Sequence, residues 1–193
     1  SVPAYLQGLQ KTMRRYGREY ATSDLTFSNG IPSTATAAHL GFTGAAAETM
    51  ITQWIDDSKP YTAAVDWIQG MPAALQGLRA AGHELGIVTS KSADEFALDD
   101  QKYHFTQYVD TTVVAHDAKR NKPFADPLLL AMTRLQGQPA ATVYVGDTLT
   151  DSQTANNAGV AFALATWTTQ PSAELAPIAY ALATPADLLH IIA

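Results

Sequence analysis

The stretch Thr142-Val143-Tyr144-Val145-Gly146-Asp147-Thr148-Leu149-Thr150-Asp151 decides how this chain is read. Its apolar, β-branched start is a strand signal. The strand stops at Gly146-Asp147. Asp151 to Ala158 then reads as a helix closed by Gly159, and Val160 to Ala165 as the next strand. The same alternation continues outward. Pro72 to Ala81 is predicted helical, with Pro72 near its first turn. Leu85-Gly86-Ile87-Val88 is a short apolar strand ending at Thr89-Ser90. Ser92 to Asp100 reads as helix, Thr111 to Ala115 as strand, Asp126 to Leu135 as helix and Ala186 to Ile192 as a last helix. Short apolar strands alternating with helices predict an α/β fold, its parallel sheet covered on both faces.

Before Gly70 the pattern is different. Tyr5, Leu6, Leu9, Met13 and Tyr16 recur at three- and four-residue steps, one face of a helix that Gly17 stops. Thr34 to Leu40 and Glu48 to Asp57 are further helices, closed by Gly41 and by Lys59-Pro60, and Tyr61 to Ile68 is a fourth candidate. No strand is predicted there. The 193 residues contain 47% hydrophobic and 16% charged side chains, a composition that excludes a disordered chain. Twelve Lys and Arg against 18 Asp and Glu give a net charge of -6, which argues against nucleic acid as a partner. The lack of Cys excludes disulfides, zinc thiolates and a Cys nucleophile within these residues. No apolar run reaches the ~20 residues that span a membrane, and no signal peptide is visible. The expectation is a cytoplasmic protein with no membrane or nucleic-acid partner.

In open parallel sheets, ligands bind beyond the carboxyl ends of the strands. Three places there carry chemistry. If a helix starts near Thr148, Asp147 and Asp151 can approach one ligand, and two carboxylates beside a helix start suit a hard cation such as Mg²⁺. Gly146 lets backbone or ligand come close. The plainer reading makes Asp147 a helix cap and Asp151 a first-turn acid. The second place is Val88-Thr89-Ser90-Lys91, where hydroxyls and helix-start N–H groups can hold an oxyanion or simply cap a helix. The third is Lys119-Arg120-Asn121-Lys122-Pro123. Lys122 precedes Pro123 and is biased to extended backbone, so its ammonium can reach the sheet edge; otherwise the loop is merely solvated. Lys11, Arg14, Arg15 and Arg18 are expected on the wet face of the first helix, with phosphate steering as the functional option. The five His residues are scattered without metal-ligand spacing. Trp54, Trp67 and Trp167 are expected to pack, and Asn29-Gly30-Ile31-Pro32 to turn.

In this order, Thr89, Lys122-Pro123 and Gly146-Asp147 with Asp151 resemble the haloacid-dehalogenase-like hydrolase superfamily, and most of all its phosphoglycolate-phosphatase-type members. Gly70-Met71-Pro72, Phe105 to Asp110 with Thr112-Val113-Val114, Lys122 to Pro127 and Asp147 to Gly159 fit as well. The resemblance implies a Rossmann-like core (70–193) with an inserted helical cap (1–69). It also implies a Mg²⁺-dependent phosphatase that hydrolyses a small-molecule phosphate ester through an aspartyl-phosphate. Thr89, with Ser90, would bind the phosphoryl group. Lys122 would offset charge on nucleophile and phosphate. Asp147 would bind Mg²⁺, with Asp151 beside it as ligand or in support.

One departure stands against the matches. The family's nucleophile and its acid–base partner lie in an Asp-x-Asp-Gly-Thr element on the first strand, and these residues contain none. Asp56-Asp57 and Asp99-Asp100 are adjacent pairs on predicted helices and do not replace it. Ser1 to Tyr5 resembles the family stretch just after that element, so the expectation is that the chain starts a few residues late and is inactive as it stands. The absent strand would lie between those ending at Thr89 and Asp147. The alternative is a phosphate- and Mg²⁺-binding module without turnover. A phosphoacceptor regulatory domain is a third reading, disfavoured by the long helical stretch before Gly70.

Overall fold

A computed structural model describes residues 2–175 and 177–191. The chain divides into two compact units, Ser1–Asp66 and Trp67–Ala193.

The first unit is helical, with α1 at Val2–Arg15, α2 at Ser33–His39 and α3 at Gly44–Thr62. A 3-10 helix, Thr22–Ser28, was not predicted. α1 turns Leu6, Leu9 and Met13 into a core shared with Leu25, Ala37, Leu40, Phe42, Met50 and Trp54. The i, i+3, i+4 pattern fixes that face. Tyr16 lies beyond the helix and is exposed. Gly17 ends the turn in the left-handed region. Two expectations fail nearby. α3 does not stop at Lys59-Pro60 but runs through Pro60 to Thr62, because a proline in a last turn breaks only one ladder bond. Consequently Tyr61 to Ile68 is not a separate helix: Tyr61 and Thr62 finish α3 and the rest is turn and loop.

The basic cluster is also more than a wet face. Asp57 is buried, and its carboxylate accepts from Arg15 Nε and Nη2 at 2.7 and 2.6 Å, from Lys11 Nζ at 2.9 Å and from Thr12 Oγ1 at 3.1 Å. The Arg15 hydrogen bonds hold its carboxyl far below the usual carboxylate range, against the opposing effect of burial. Arg18 donates to the Leu40 carbonyl and lies over the Phe42 ring. One turn from this ion cluster, α1 and α3 nearly touch. A Cβ on Gly8 would lie 1.9 Å from Ser58 Oγ and 2.8 Å from Ser58 Cα. In an exposed helix, Gly→Ala stabilises by about 1 kcal/mol. Here Gly8→Ala should instead cost about 1–3 kcal/mol through overpacking, read as a lower midpoint in thermal unfolding.

The second unit is α/β. Its elements are α4 (Met71–Ala80), β1 (Gly86–Val88), α5 (Ala93–Tyr103), β2 (Thr111–Val113), α6 (Asp126–Arg134), β3 (Val143–Gly146), α7 (Leu149–Ala158), β4 (Ala161–Ala165), β5 (Tyr180–Leu182) and α8 (Leu188–Ile191). β5 was not predicted, and the predicted end of the last helix, Ile192, lies outside the described residues. All pairings are parallel. β1 pairs with β2, Ile87 opposite Thr112; β3 pairs with β4, Tyr144 opposite Phe162; β4 pairs with β5. β1 and β3 belong to different sheets. Successive strand residues face opposite sides. Tyr144, Phe162 and Leu164 pack with Leu128 and Met132 of α6 and Ala155 of α7. Val143, Val145 and Ala163 pack with Ala74 and Leu78 of α4 and Leu188 of α8. Helices on both faces of parallel strands make this a Rossmann-like arrangement.

The second compact unit begins at Trp67. Trp67 meets Tyr103, Phe105 and Tyr108 edge-on, with ring centroids 6.3, 5.0 and 5.4 Å away. Those rings belong to the second unit, and Trp67 goes with them. Among the described residues no helix is long and apolar enough to cross a membrane.

Candidate active site

The β3–α7 turn is built around one carboxylate. Thr148 is the N-cap of α7 and accepts from the Asp151 N–H at 3.1 Å. Asp151 answers as a capping-box acid. Its Oδ2 accepts from the Thr148 N–H at 3.1 Å, from the Thr148 hydroxyl at 2.6 Å and from the Asp147 N–H at 3.3 Å. Its Oδ1 accepts from Lys122 Nζ at 2.7 Å and from the Tyr144 hydroxyl at 3.2 Å. The Lys122 and Asp151 side chains are each 8% exposed. Gly146 makes room for this carboxylate, since a Cβ there would lie 2.4 Å from Asp151 Cβ.

Asp147 is therefore not the helix cap, and Asp151 is not an open ligand. Both Asp151 oxygens are engaged, one by an ammonium. The Asp147 carboxylate lies half-buried beside it. Burial and the neighbouring Asp151 charge push Asp147 up, with the Thr168 hydroxyl and Lys122 opposing. For Asp151, burial also acts upward, but the Lys122 ammonium and the Thr148 bonds outweigh it and hold Asp151 below the usual carboxylate range. Burial and the Asp151 charge push the Tyr144 phenol well up, so it keeps its proton.

Lys122 enters this group from the β2–α6 loop. The Lys122-Pro123 peptide is cis. Asn157 Nδ2 donates to the Pro123 carbonyl at 2.9 Å and ties the loop to α7. Arg120 grips Asp126 through two hydrogen bonds of 3.0 and 2.8 Å and lies over the Phe124 ring. The loop is therefore held at both ends of the lysine.

Thr89 continues the β1–β2 ladder through its N–H to the Val113 carbonyl at 2.9 Å. Its Oγ1 accepts from the Lys91 N–H at 3.2 Å. Neither Thr89 nor Ser90 caps α5, because Ser92 does, in a capping box with Glu95. No hydrogen bond joins Thr89 to Lys122 or Asp147 among the described residues. The link runs one residue earlier: the Tyr144 hydroxyl lies 3.4 Å from the Val88 carbonyl and 3.5 Å from Lys122 Nζ. Structure thus brings Lys122, Asp147 and Asp151 together and sets the end of β1 beside them.

The other acidic pairs are spoken for. Asp99 pairs with Lys91, and Asp100 accepts from the Thr106 N–H and hydroxyl, each at 2.8 Å. Among the described residues no three His, Asp or Glu side chains cluster as a metal site. Mg²⁺ is commonly held by one or two carboxylates with phosphate and water completing the shell. A half-buried Asp147 under like-charge pressure fits one such ligand. Sequence reading missed Tyr144 and Thr148. Tyr144 looks like one more apolar strand residue, and only its alternation toward the α6–α7 face hints at Lys122.

The family model described as haloacid dehalogenase-like hydrolase matches residues 1–165. Pyrophosphatase PpaX of Bacillus velezensis is 35% identical over 119 residues, 61% of this chain and 55% of that protein. The Bacillus mycoides protein of that name is 31% identical over 120 residues, 61% and 56% of the two chains. This chain thus spans about half the length of these curated relatives. A crystal structure of a candidate phosphoglycolate phosphatase from Lactobacillus plantarum superposes with a TM-score of 0.84 at 26% identity, over 99% of this chain and 92% of that one. The CbbY structure from Rhodobacter sphaeroides in complex with phosphate shares the fold, with a TM-score of 0.79 at 15% identity over 96% and 89% of the two chains. Residue order, strand-end geometry and the match over most of the sequence agree: the chain belongs to the haloacid dehalogenase-like hydrolases.

Proposed function

We propose that this chain carries the phosphate-handling part of a Mg²⁺-dependent phosphatase. Its substrate would be a small phosphate ester of the phosphoglycolate type, cleaved through an aspartyl-phosphate. Residues 67–193 act as the core and the helical unit as the substrate-selecting cap. The observation that supports this best is the buried Lys122 ammonium, fixed by Asp151 next to Asp147 at the carboxyl end of β3. Such chemistry rests on positioning and charge neutralisation. Lys122 presents a buried cation already held beside the carboxyl end of β3. The Thr89 hydroxyl already accepts from Lys91, which leaves its own proton to donate to a phosphoryl oxygen. Ser90, next along, extends that turn. Asp147 would hold Mg²⁺, with Asp151 orienting Lys122 rather than competing for the ion. When bound, the metal would neutralise charge on the phosphoryl oxygens. Pyrophosphate is the neighbouring substrate class, suggested by the named activity of the Bacillus relatives.

Asp147→Asn tests this reading through two signs. An acid whose pKa is raised by folding loses folding stability as pH climbs through its folded value. Removing the Asp147 charge should therefore leave the chain equally or more stable at neutral pH. The same change should weaken Mn²⁺ binding, followed by its paramagnetic signal, at least tenfold. Unchanged Mn²⁺ binding would count against the metal site. A second reading, a non-catalytic phosphate- and Mg²⁺-binding module, is favoured by one observation, the lack of an Asp-x-Asp element in these residues.

A further inference from the structure

We propose that Tyr144 is a positioning residue for Lys122: its buried hydroxyl keeps Asp151 compensated while the Lys122 ammonium shares its charge with a bound anion. The phenol ring is clamped by Leu128, Met132, Ala155 and Phe162, so the hydroxyl has one place to be. Three polar atoms surround it: Asp151 Oδ1 at 3.2 Å, Val88 O at 3.4 Å and Lys122 Nζ at 3.5 Å. A hydroxyl has one proton. The carboxylate is both charged and nearer than the Val88 carbonyl, so it takes that proton, and Lys122 donates to the phenol oxygen.

A buried carboxylate left without partners is costly. If Lys122 were the sole group on Oδ1, any shift of its ammonium toward phosphate would uncover that oxygen. The phenol removes this conflict, since Oδ1 keeps a donor while Lys122 turns outward. The Val88 carbonyl offers the hydroxyl a second acceptor at the end of β1. Tyr144 therefore couples the β3 side of the site to the strand that carries Thr89. This role deepens the phosphatase reading and rests on it for the anion, but the lysine's confinement is testable by itself.

The test is amine labelling of the full chain with acetic anhydride, the rate at each lysine read by mass spectrometry. Lys59, whose side chain is 65% exposed, is the internal reference. In the parent, Lys122 should react at least tenfold more slowly than Lys59. Tyr144→Phe removes one oxygen and keeps the ring. It leaves Lys122 as the sole donor to Asp151 Oδ1, so it should slow labelling of Lys122 by about a further tenfold, the worth of a hydrogen bond to a charged group, and leave Lys59 unchanged. Phe162→Leu loosens the same apolar cluster without touching the hydroxyl and should leave Lys122 protected. An unaltered or faster Lys122 rate in Tyr144→Phe, or an equal slowing in Phe162→Leu, overturns the proposal. Should Tyr144→Phe fail to fold, the parent still decides: its Tyr144 hydroxyl proton should show an NMR cross-peak to the Lys122 ammonium, and lack of one overturns the proposal. Titration with inorganic phosphate and Mg²⁺ separates the two readings. Weaker phosphate binding in Tyr144→Phe supports both. A parent that binds no phosphate removes the phosphatase reading and leaves the labelling result standing.

Discussion

Lys122→Ala should lower the stability of the chain by about 3–5 kcal/mol at neutral pH, because it leaves a buried carboxylate without its counter-charge. Asp151 and Lys122 are each 8% exposed at the side chain, so bulk water screens the pair little. The remaining donors to Asp151 are neutral: Tyr144, Thr148 and two backbone N–H groups. Urea unfolding at several pH values checks both size and sign. In the parent, Asp151 is held below the usual carboxylate range. Its contribution is therefore fully present above the unfolded value of about 4 and is lost as pH falls through the lower folded value. Without Lys122, burial dominates and pushes Asp151 up. The variant can then relieve its cost by protonation, and the gap between the two proteins should narrow on acidification. Lys122→Met with Asp151→Asn should recover much of the loss, since neither charge is then stranded. A small, pH-independent loss in Lys122→Ala would mean that the pair does not anchor the site.

The parallel α/β half was legible because its signals are local. Apolar strands end in Gly or hydroxyl residues, and helices open with Ser92 and Thr148 and close with Gly159. Boundaries held to within a few residues for α4, α6, β3 and α7. Failures have physical causes too. Pro60 looked like a stop, yet its position in a last turn costs α3 little. β5, with only Tyr180-Ala181-Leu182, is too short to stand out and is fixed by pairing with β4. Asp57 was dismissed as a helical acid, and its burial under Arg15 and Lys11 depends on how two distant helices pack. The site shows the same divide. Thr89, Lys122, Asp147 and Asp151 could be picked by type and place. Which carboxylate Lys122 engages could not, because that is decided by how the β2–α6 loop packs against α7.

No turnover of phosphate esters or pyrophosphate is expected from this 193-residue chain by itself. Loss of a nucleophile costs on the order of a millionfold, and on the proposed reading the residues assembled here stabilise a phosphoryl group's charge rather than attack its phosphorus. On the proposed reading Asp147 holds a cation, while Asp151 is fully hydrogen-bonded and Asp57, Asp99 and Asp100 are tied up elsewhere. Attack needs a carboxylate oxygen that forms a bond to phosphorus as the ester oxygen leaves and takes a proton, followed by water that releases inorganic phosphate. β1 and β3 run parallel to their own partners but lie in different sheets, and Thr89 and Asp147 follow their carboxyl ends. A parallel strand laid between them would put its own carboxyl end between Thr89, Lys122 and Asp147, where ligands meet such sheets. On the proposed reading, fusing an apolar strand that ends in Asp-x-Asp ahead of Val2 should create Mg²⁺-dependent hydrolysis. The same fusion with Asn at the first of the two positions should not. Turnover by the unfused chain would show that a nucleophile lies among its own residues. Silence from the fused chain, with phosphate binding intact, would favour the binding module, because the charge-stabilising half of the site would then be complete and still have no reaction to serve.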